Sequence, residues 1–508
     1  MNKYLRSFLN FFFAIGILST LSAQEKVKFK MQEQLFLKGN SVLIGNTVLS
    51  KHKKTPFDDL KTANDAVNMK YVDIDLDETT FSSSSAQIAM PSSAQRVAYA
   101  GLYWSGLYPS ERSEMRKKKR KLVYKNKGRR IPTVNEIKVK VLGQPYFDVK
   151  GEILFDAKKR GAFKTDSPYL CRADVTAYLQ NSSFENTVFT VANIRGVNGK
   201  IAGGSAAGWL LYIIYEDASE TPRYFTTYDG FEQVTFDNVD INFGDFQVKT
   251  KGELQSTLVM ASLEGDVTID SDKCAIYNTK KERYELLKTP QRESTNFFNS
   301  SITNSNKVSS ERTPSSKNTL GFDLIKMQLP KGIINNSATT AKVRFKTGGD
   351  RFYLFFTAFE TEIEDAYLLK RNSEIAFSEG KIVLGNQLLQ ELKVAENKAL
   401  VESETTTGLA ALSSPARDLY GISNISIPGL IPGYYLVTSV FSRKDYADNW
   451  TKKLLTQGYN PKRYTNPENG WFYIYVEMSN NLIEIVNKKN ELRSLKQFEK
   501  AWVSGINL

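Results

Sequence analysis

Through the first 364 residues, apolar positions fall in short runs or in alternation, and both patterns predict strands. Val97 to Trp104 is apolar and aromatic. Trp209 to Tyr215 is almost unbroken, as in a strand buried on both faces. Thr187 to Ile194, Gln255 to Leu263 and Arg351 to Phe359 repeat the pattern. Gly, Asn, Asp and Ser punctuate the runs, as the turns of a β-sandwich require. Long amphipathic helices are scarce. The expected fold is mainly β, with one or two β-sandwich domains over residues 24–218 and 219–364. The boundary falls near Glu216 to Arg223, with 219–364 either a second sandwich or a continuation of the first.

After residue 364 the pattern changes. Residues 365–432 contain helical sequence, such as Asn386 to Leu400, a polar run from Glu402 to Ser414, and Pro415, Pro428 and Pro432. These predict a linker with small packed elements. Residues 433–508 then alternate strand and helix periods. Tyr434 to Phe441 is a strand, Asp445 to Gln457 a helix stopped by Gly458, and Lys462 to Thr465 a short strand. Asn466 to Gly470 is a turn, Trp471 to Val476 a strand, Asn481 to Phe498 a helix and Ala501 to Ile506 a strand. The order β-α-β-β-α-β is that of a small α+β ferredoxin-like domain.

Helices cover only one sheet face in such a domain. Alternation sets Phe472, Ile474 and Val476 on one face and Trp471, Tyr473 and Tyr475 on the other, beside Tyr435 and Val437. With the aliphatic set under the helices, the aromatics form an open platform. Such a platform suits sugar rings or a protein partner. The alternative is that the linker packs over it as core.

Composition narrows the classes. The chain has 508 residues, 41% hydrophobic and 24% charged, which is a globular composition of about three domains. The formal charge of +13 first suggests nucleic acid, but its distribution is uneven. Ten of the fifteen residues from Arg116 to Arg130 are basic and none is acidic. Setting aside these and the leader's Lys3 and Arg6 leaves +1 for the rest. Residues 1–23 have the layout of a secretory signal: basic start, short apolar stretch Phe8 to Leu18, small residues before Gln24. No other segment reaches the length of a membrane-spanning helix. Export directs the expectation away from nucleic acid and toward the periplasm, the outer membrane or the cell surface.

Candidate chemistry is thin. The one histidine, His52, stands between Lys51 and Lys53, a solvated setting rather than that of an oriented catalytic imidazole. Cys171 and Cys274 are too few for a Cys/His zinc site, and read equally as a disulfide or as two buried thiols. No phosphate-cradling glycine motif occurs. Asp73, Asp75 and Asp77 have a spacing that would serve Ca²⁺ in a loop, but the EF-hand glycine and glutamate are missing. The other reading is a solvated face or turn caps, so no cofactor is expected beyond that possible Ca²⁺. The basic run, with Arg116, Lys117, Lys118, Lys119, Arg120, Lys121, Arg129 and Arg130, reads as an insertion between strands. It is either solvated and mobile or a contact for an anionic envelope surface.

Two stretches resemble known families. Tyr434–Ala447 (YYLVTSVFSRKDYA), Gly458–Pro461 (GYNP) and Asn469–Val476 (NGWFYIYV) resemble the SPOR family of bacterial cell-wall-binding domains, with Val437 where the family commonly has Gln. That resemblance implies binding to peptidoglycan glycan strands stripped of their peptides. The longer resemblance covers about 330 residues. Lys38–Thr47 (KGNSVLIGNT), Tyr71–Asp77 (YVDIDLD), Thr80–Ala86 (TFSSSSA), Ala98–Ser105 (AYAGLYWS) and Ala173–Thr176 (ADVT) carry its first half. Gly208–Leu210 (GWL), Asp229–Phe231 (DGF), Phe297–Thr303 (FFNSSIT) and Asn318–Asp323 (NTLGFD) carry the second. In this order they resemble the N-terminal region of giant surface adhesins exported by the type IX secretion system of gliding Bacteroidota. Where those adhesins carry a repeat array and a sorting domain, this chain carries the SPOR-like module.

The resemblances together imply a non-enzymatic envelope accessory protein for the export or mounting of a gliding adhesin. Its expected partners are proteins of the gliding or type IX machinery, such as the adhesin or its outer-membrane partner, and peptidoglycan glycan. The alternative is a secreted carbohydrate-active enzyme with a C-terminal glycan-binding domain, which needs paired carboxylates about 5–9 Å apart.

Overall fold

The structure, a computed structural model, describes residues 26–507 except 76, 159–160, 181–186, 305, 350, 407–423 and 481. The expected leader, residues 1–23, lies outside the described residues, as does most of the Glu402–Ser414 run. The protein is mainly β, with several antiparallel sheets and few helices. It divides after Arg371 into two compact units.

In the first unit, the largest sheet has eleven strands among the described residues. Its organiser is the strand Val27–Thr47, which changes partner halfway. Val27–Lys38 pairs with Pro222–Phe231, and Gly39–Thr47 pairs with Gly208–Glu216. A Cβ at Gly39 would overlap the Tyr215 carbonyl, so glycine permits the close approach at the change-over. Of the two sequence readings of residues 219–364, the pairing is that of a continuation rather than a separate sheet. The strands on either side of the expected boundary pair with one common strand, and Asp217 N donates to Lys38 O at 2.9 Å. Residues 217–221 are a turn within a continuing sheet.

The strand Ala207–Glu216 is buried on both faces. Trp209, Leu211 and Ile213 pack with Val139, Phe189 and Val191 of a separate five-stranded sheet. Leu210, Tyr212 and Ile214 point the other way and pack with Val259, Leu324 and Phe356. An unbroken apolar run is what two buried faces demand.

In the second unit, two helices precede the βαββαβ stretch, Asp365–Ser378 (which straddles the division) and Ile382–Thr406. The helical pattern read at Asn386 to Leu400 lies within the second of these. Gly380, at φ 74°, separates the helices, and Gly385 lies under the Phe377 ring where a Cβ would collide. Glycines that look like breakers therefore serve a turn and a helix–helix approach.

The remaining strands form one sheet in the order Asn424–Ile425, Trp502–Ile506, Gly433–Phe441, Phe472–Ser479, Lys462–Thr465. The helices Lys444–Thr456 and Leu482–Arg493 cover one face, with Ala447, Leu454 and Ile485 against Leu436, Ile474 and Val503. Gly458, at φ 85°, ends the first of them as its sequence position predicts.

Candidate functional site

The aromatic row of the second unit starts in a hydrogen-bonded turn. Asn466 N donates to Trp471 O (3.0 Å), Gly470 N to Asn466 O (2.8 Å) and Trp471 N to Asn469 Oδ1 (2.9 Å). This turn presents Trp471 at 45% exposure. Tyr473 is half-buried: it stacks on Tyr464 at 5.1 Å and meets the edge of Trp502 at 6.2 Å. Asn469 Nδ2 donates to the Tyr473 hydroxyl at 3.4 Å.

Tyr435 and Val437 do not share this surface; they are 2% and 0% exposed. Ile427 and Leu430 pack into their cluster with Ile506, and the Tyr435 hydroxyl donates to Ile431 O at 2.7 Å. The expected five-residue platform is therefore corrected. Tyr435 and Val437 are its floor, closed by residues 424–431, which sequence assigned to a linker. Tyr475, half-buried, meets Tyr435 edge-on at 4.9 Å. The open part is Trp471 with the exposed portions of Tyr473 and Trp502. Burial pushes the Tyr464 hydroxyl up to about 12, so it remains a neutral part of the floor. Tyr464 and Trp502 were not singled out from sequence; the alternation of Trp502, Ser504 and Ile506 held the signal.

The basic run forms an ordered hairpin. Arg112–Lys118 and Lys121–Lys127 pair antiparallel, and Lys119, at φ 57°, helps to turn the chain. At the root, Asn198–Gly199 pairs with Arg112–Ser113. Arg130 is an anchor, not part of an anion-binding surface. Its side chain is 10% exposed, and the guanidinium lies 2.7 Å from Asp156 Oδ1 and donates to Tyr108 O at 2.8 Å. Arg116, Lys117, Lys118, Lys119, Arg120, Lys121 and Arg129 are exposed.

The three aspartates do not converge on a cation. Asp77 caps its own turn, accepting from Thr79 N (2.8 Å) and Thr79 Oγ1 (2.6 Å). Asp75 accepts from the Tyr146 hydroxyl (2.5 Å) and Thr80 Oγ1 (3.1 Å), and Asp73 from Ser83 Oγ (3.4 Å). Among the described residues no group of three acidic, His or Cys side chains is placed to hold a metal.

Cys171 and Cys274 are free and fully buried, and burial pushes both thiols up. A thiol reagent at pH 8 is expected to modify neither in the native protein and both after denaturation. Rapid native labelling of either would contradict this placement.

The stretches that carry the longer sequence resemblance meet inside the first unit. Trp209 Nε1 donates to Ser84 Oγ (2.9 Å), Asn46 Nδ2 to Ser85 O (3.1 Å), Ala100 N to Thr176 Oγ1 (2.8 Å) and the Tyr103 hydroxyl to Asp229 Oδ2 (3.3 Å). Asp323 accepts from Asn299 N, Ser300 N and Ser301 N, each at 3.1 Å, and pairs with Arg292 at 2.7 Å. Nearby, a polar cleft of about 500 Å³ includes Asn40, Ser41, Arg223, Glu311 and Lys326 in its lining. Lys326 Nζ donates to Ser41 Oγ (2.6 Å) and lies 3.9 Å from Glu360; burial pushes its ammonium down. Glu360 accepts from Ser41 Oγ (2.5 Å) and the Tyr212 hydroxyl (2.9 Å).

The class these observations define is a mainly β protein with several antiparallel sheets. No family model and no curated protein matches the chain. Among solved structures, it has a remote likeness to a peptide-N(4)-(N-acetyl-β-D-glucosaminyl) asparagine amidase. Identity is 12%, over 64% of this chain and 96% of that one, with a TM-score of 0.17. A second likeness is to the major capsid protein P2 of bacteriophage PM2, at 10% identity over 65% and 98%, TM-score 0.16. A third is to PNGF-II, at 11% over 63% and 66%, TM-score 0.16. At these scores none bears on function.

Proposed function

We propose that this chain is a non-enzymatic cell-envelope protein serving the export or mounting of a gliding-motility surface adhesin. In this reading residues 24–364 form an adhesin-like β-sandwich region that engages a gliding or type IX secretion partner. The C-terminal ferredoxin-like unit is a SPOR-type domain that binds peptidoglycan glycan. The protein is exported and acts in the periplasm or at the outer membrane.

The observation that carries the glycan reading is the open aromatic group, Trp471 with Tyr473 and Trp502, beside the Asn469 amide. Flat rings with a polar rim suit the apolar faces and hydroxyl edges of a sugar chain. The adhesin reading is supported by the ordered resemblance, whose scattered stretches join through buried hydrogen bonds. Those polar residues belong to a shared scaffold, so the partner is sought elsewhere on the surface.

Purified sacculi provide the test. The full chain should cosediment with them, and Trp471→Ala/Tyr473→Ala should weaken binding at least tenfold, since central aromatics dominate such contacts. Equal binding by the double variant would sink the aromatic site. No binding by either protein would sink the glycan reading.

A further inference from the structure

We propose that the hairpin from Glu114 to Lys127 is a membrane-surface contact, docking on an anionic phospholipid bilayer. The inference concerns the first unit and is independent of the sacculus reading.

The hairpin is firmly rooted and then uncovered. Arg130–Asp156 and the pairing of Arg112–Ser113 fix its base. From Glu114 onward neither strand has a further pairing partner among the described residues, and every residue from Met115 to Val123 is exposed. At about 3.4 Å per residue, the free ladder extends roughly 15 Å. A lone two-stranded ladder is marginally stable in water. This one also gathers nine cations and one carboxylate between Glu114 and Arg129. Glu114 compensates part of that charge, lying 3.1 Å from Arg116 and 2.5 Å from Lys127. The others at the tip repel one another until an anionic surface meets them.

Charge alone would fit any polyanion, and the apolar side chains make the choice. Register and alternation place Met115, Lys117, Leu122 and Tyr124 on one face. Arg116, Lys118, Lys121, Val123 and Lys125 share the other. Met115 is 39%, Leu122 56% and Val123 43% exposed. A soluble acidic polysaccharide would pair with the cations and leave these groups in water. A bilayer interface serves both: phosphates take the ammonium and guanidinium heads, which reach them on flexible stems, and the acyl boundary takes Leu122, Met115 and Tyr124. Six of the ten basic residues in the run are lysines, which suits diffuse attraction to many headgroups better than one fixed ligand.

The full chain would be sedimented with vesicles of phosphatidylcholine alone or with one third phosphatidylglycerol. Binding is expected only to the anionic vesicles and should weaken as salt rises. Replacing Lys118, Lys119, Arg120 and Lys121 with Ser should lower partitioning about a hundredfold or more. Leu122→Ser, which keeps every cation, should lower it severalfold. Leu122→Cys with an environment-sensitive dye reports insertion directly, because Cys171 and Cys274 are buried. Its emission should shift to the blue on anionic vesicles. Unchanged melting temperatures verify that these exposed substitutions leave the fold intact. No binding at low salt, equal binding to neutral vesicles, or an unshifted dye would overturn the proposal. Capture by a soluble polyuronate at unchanged strength in Leu122→Ser, with vesicles unbound, would overturn it in favour of a glycan.

Discussion

Arg292→Met is expected to destabilise the first unit by about 3–5 kcal/mol, the usual effect of removing one member of a buried ion pair. Both Arg292 and Asp323 side chains are 0% exposed. The guanidinium donates to Asp323 Oδ1 (2.7 Å), Phe297 O (2.7 Å), Ser301 O (2.6 Å) and Thr303 Oγ1 (2.9 Å). Methionine fills much of the volume and supplies none of these donors, so the buried Asp323 carboxylate loses its counter-charge and the Phe297 carbonyl its donor, while Ser301 O keeps the Leu324 N–H. Burial pushes Asp323 up and Arg292 down, so desolvation outweighs attraction and neither charge is comfortable alone. Asp323→Asn should be comparably severe, because it leaves the buried Arg292 charge unpaired and turns an amide NH2 toward the Ser300 N–H that Asp323 Oδ2 accepts. Urea unfolding followed through Trp104 and Trp209, both buried in this unit, measures the effect. A stability change below about 1 kcal/mol for Arg292→Met would mean that the pair is dispensable.

Legibility in the sequence followed a physical line. Strands buried on two faces were plain, because Trp209 to Tyr215 has no polar position to mislead. The βαββαβ order was readable because helix and strand periods differ and Gly458 marks a stop. Buried charge was not readable. Arg292 sits among Gln291 and Glu293, and Arg130 ends a run of surface cations; only the fold brings Asp323 and Asp156 to them. Alternation correctly put Tyr435 on the face away from the helices but could not say what covers it. The cover comes from Ile427 and Leu430, in a proline-broken segment that reads as linker. The change of partner at Gly39 was equally silent, since a strand's own residues do not encode how many neighbours it serves.

That distinction between floor and surface yields the second large effect. Tyr435→Ala is expected to cost the C-terminal unit about 3–5 kcal/mol, whereas Trp471→Ala should stay within about 0.5 kcal/mol. Tyr435 touches Tyr464 and Tyr475 edge-on, at 6.2 and 4.9 Å, and its hydroxyl ties down the Ile431 carbonyl. Alanine leaves a cavity and releases the covering segment. Trp471 stands at the surface, and its loss opens no cavity. Tyr435→Phe keeps the ring contacts and drops only the hydrogen bond, for about 1 kcal/mol. A loss of this size is a large share of the roughly 5–15 kcal/mol that holds an ordinary domain folded, so Tyr435→Ala should raise the open population of this sheet by orders of magnitude. Amide exchange along Phe472–Ser479, measured in the full chain, reads this directly. Protection lost in Trp471→Ala but kept in Tyr435→Ala would invert the assignment. If the expected order holds, lost sacculus binding in a Tyr435 variant reports unfolding, and contact with glycan must be judged from Trp471 and Tyr473.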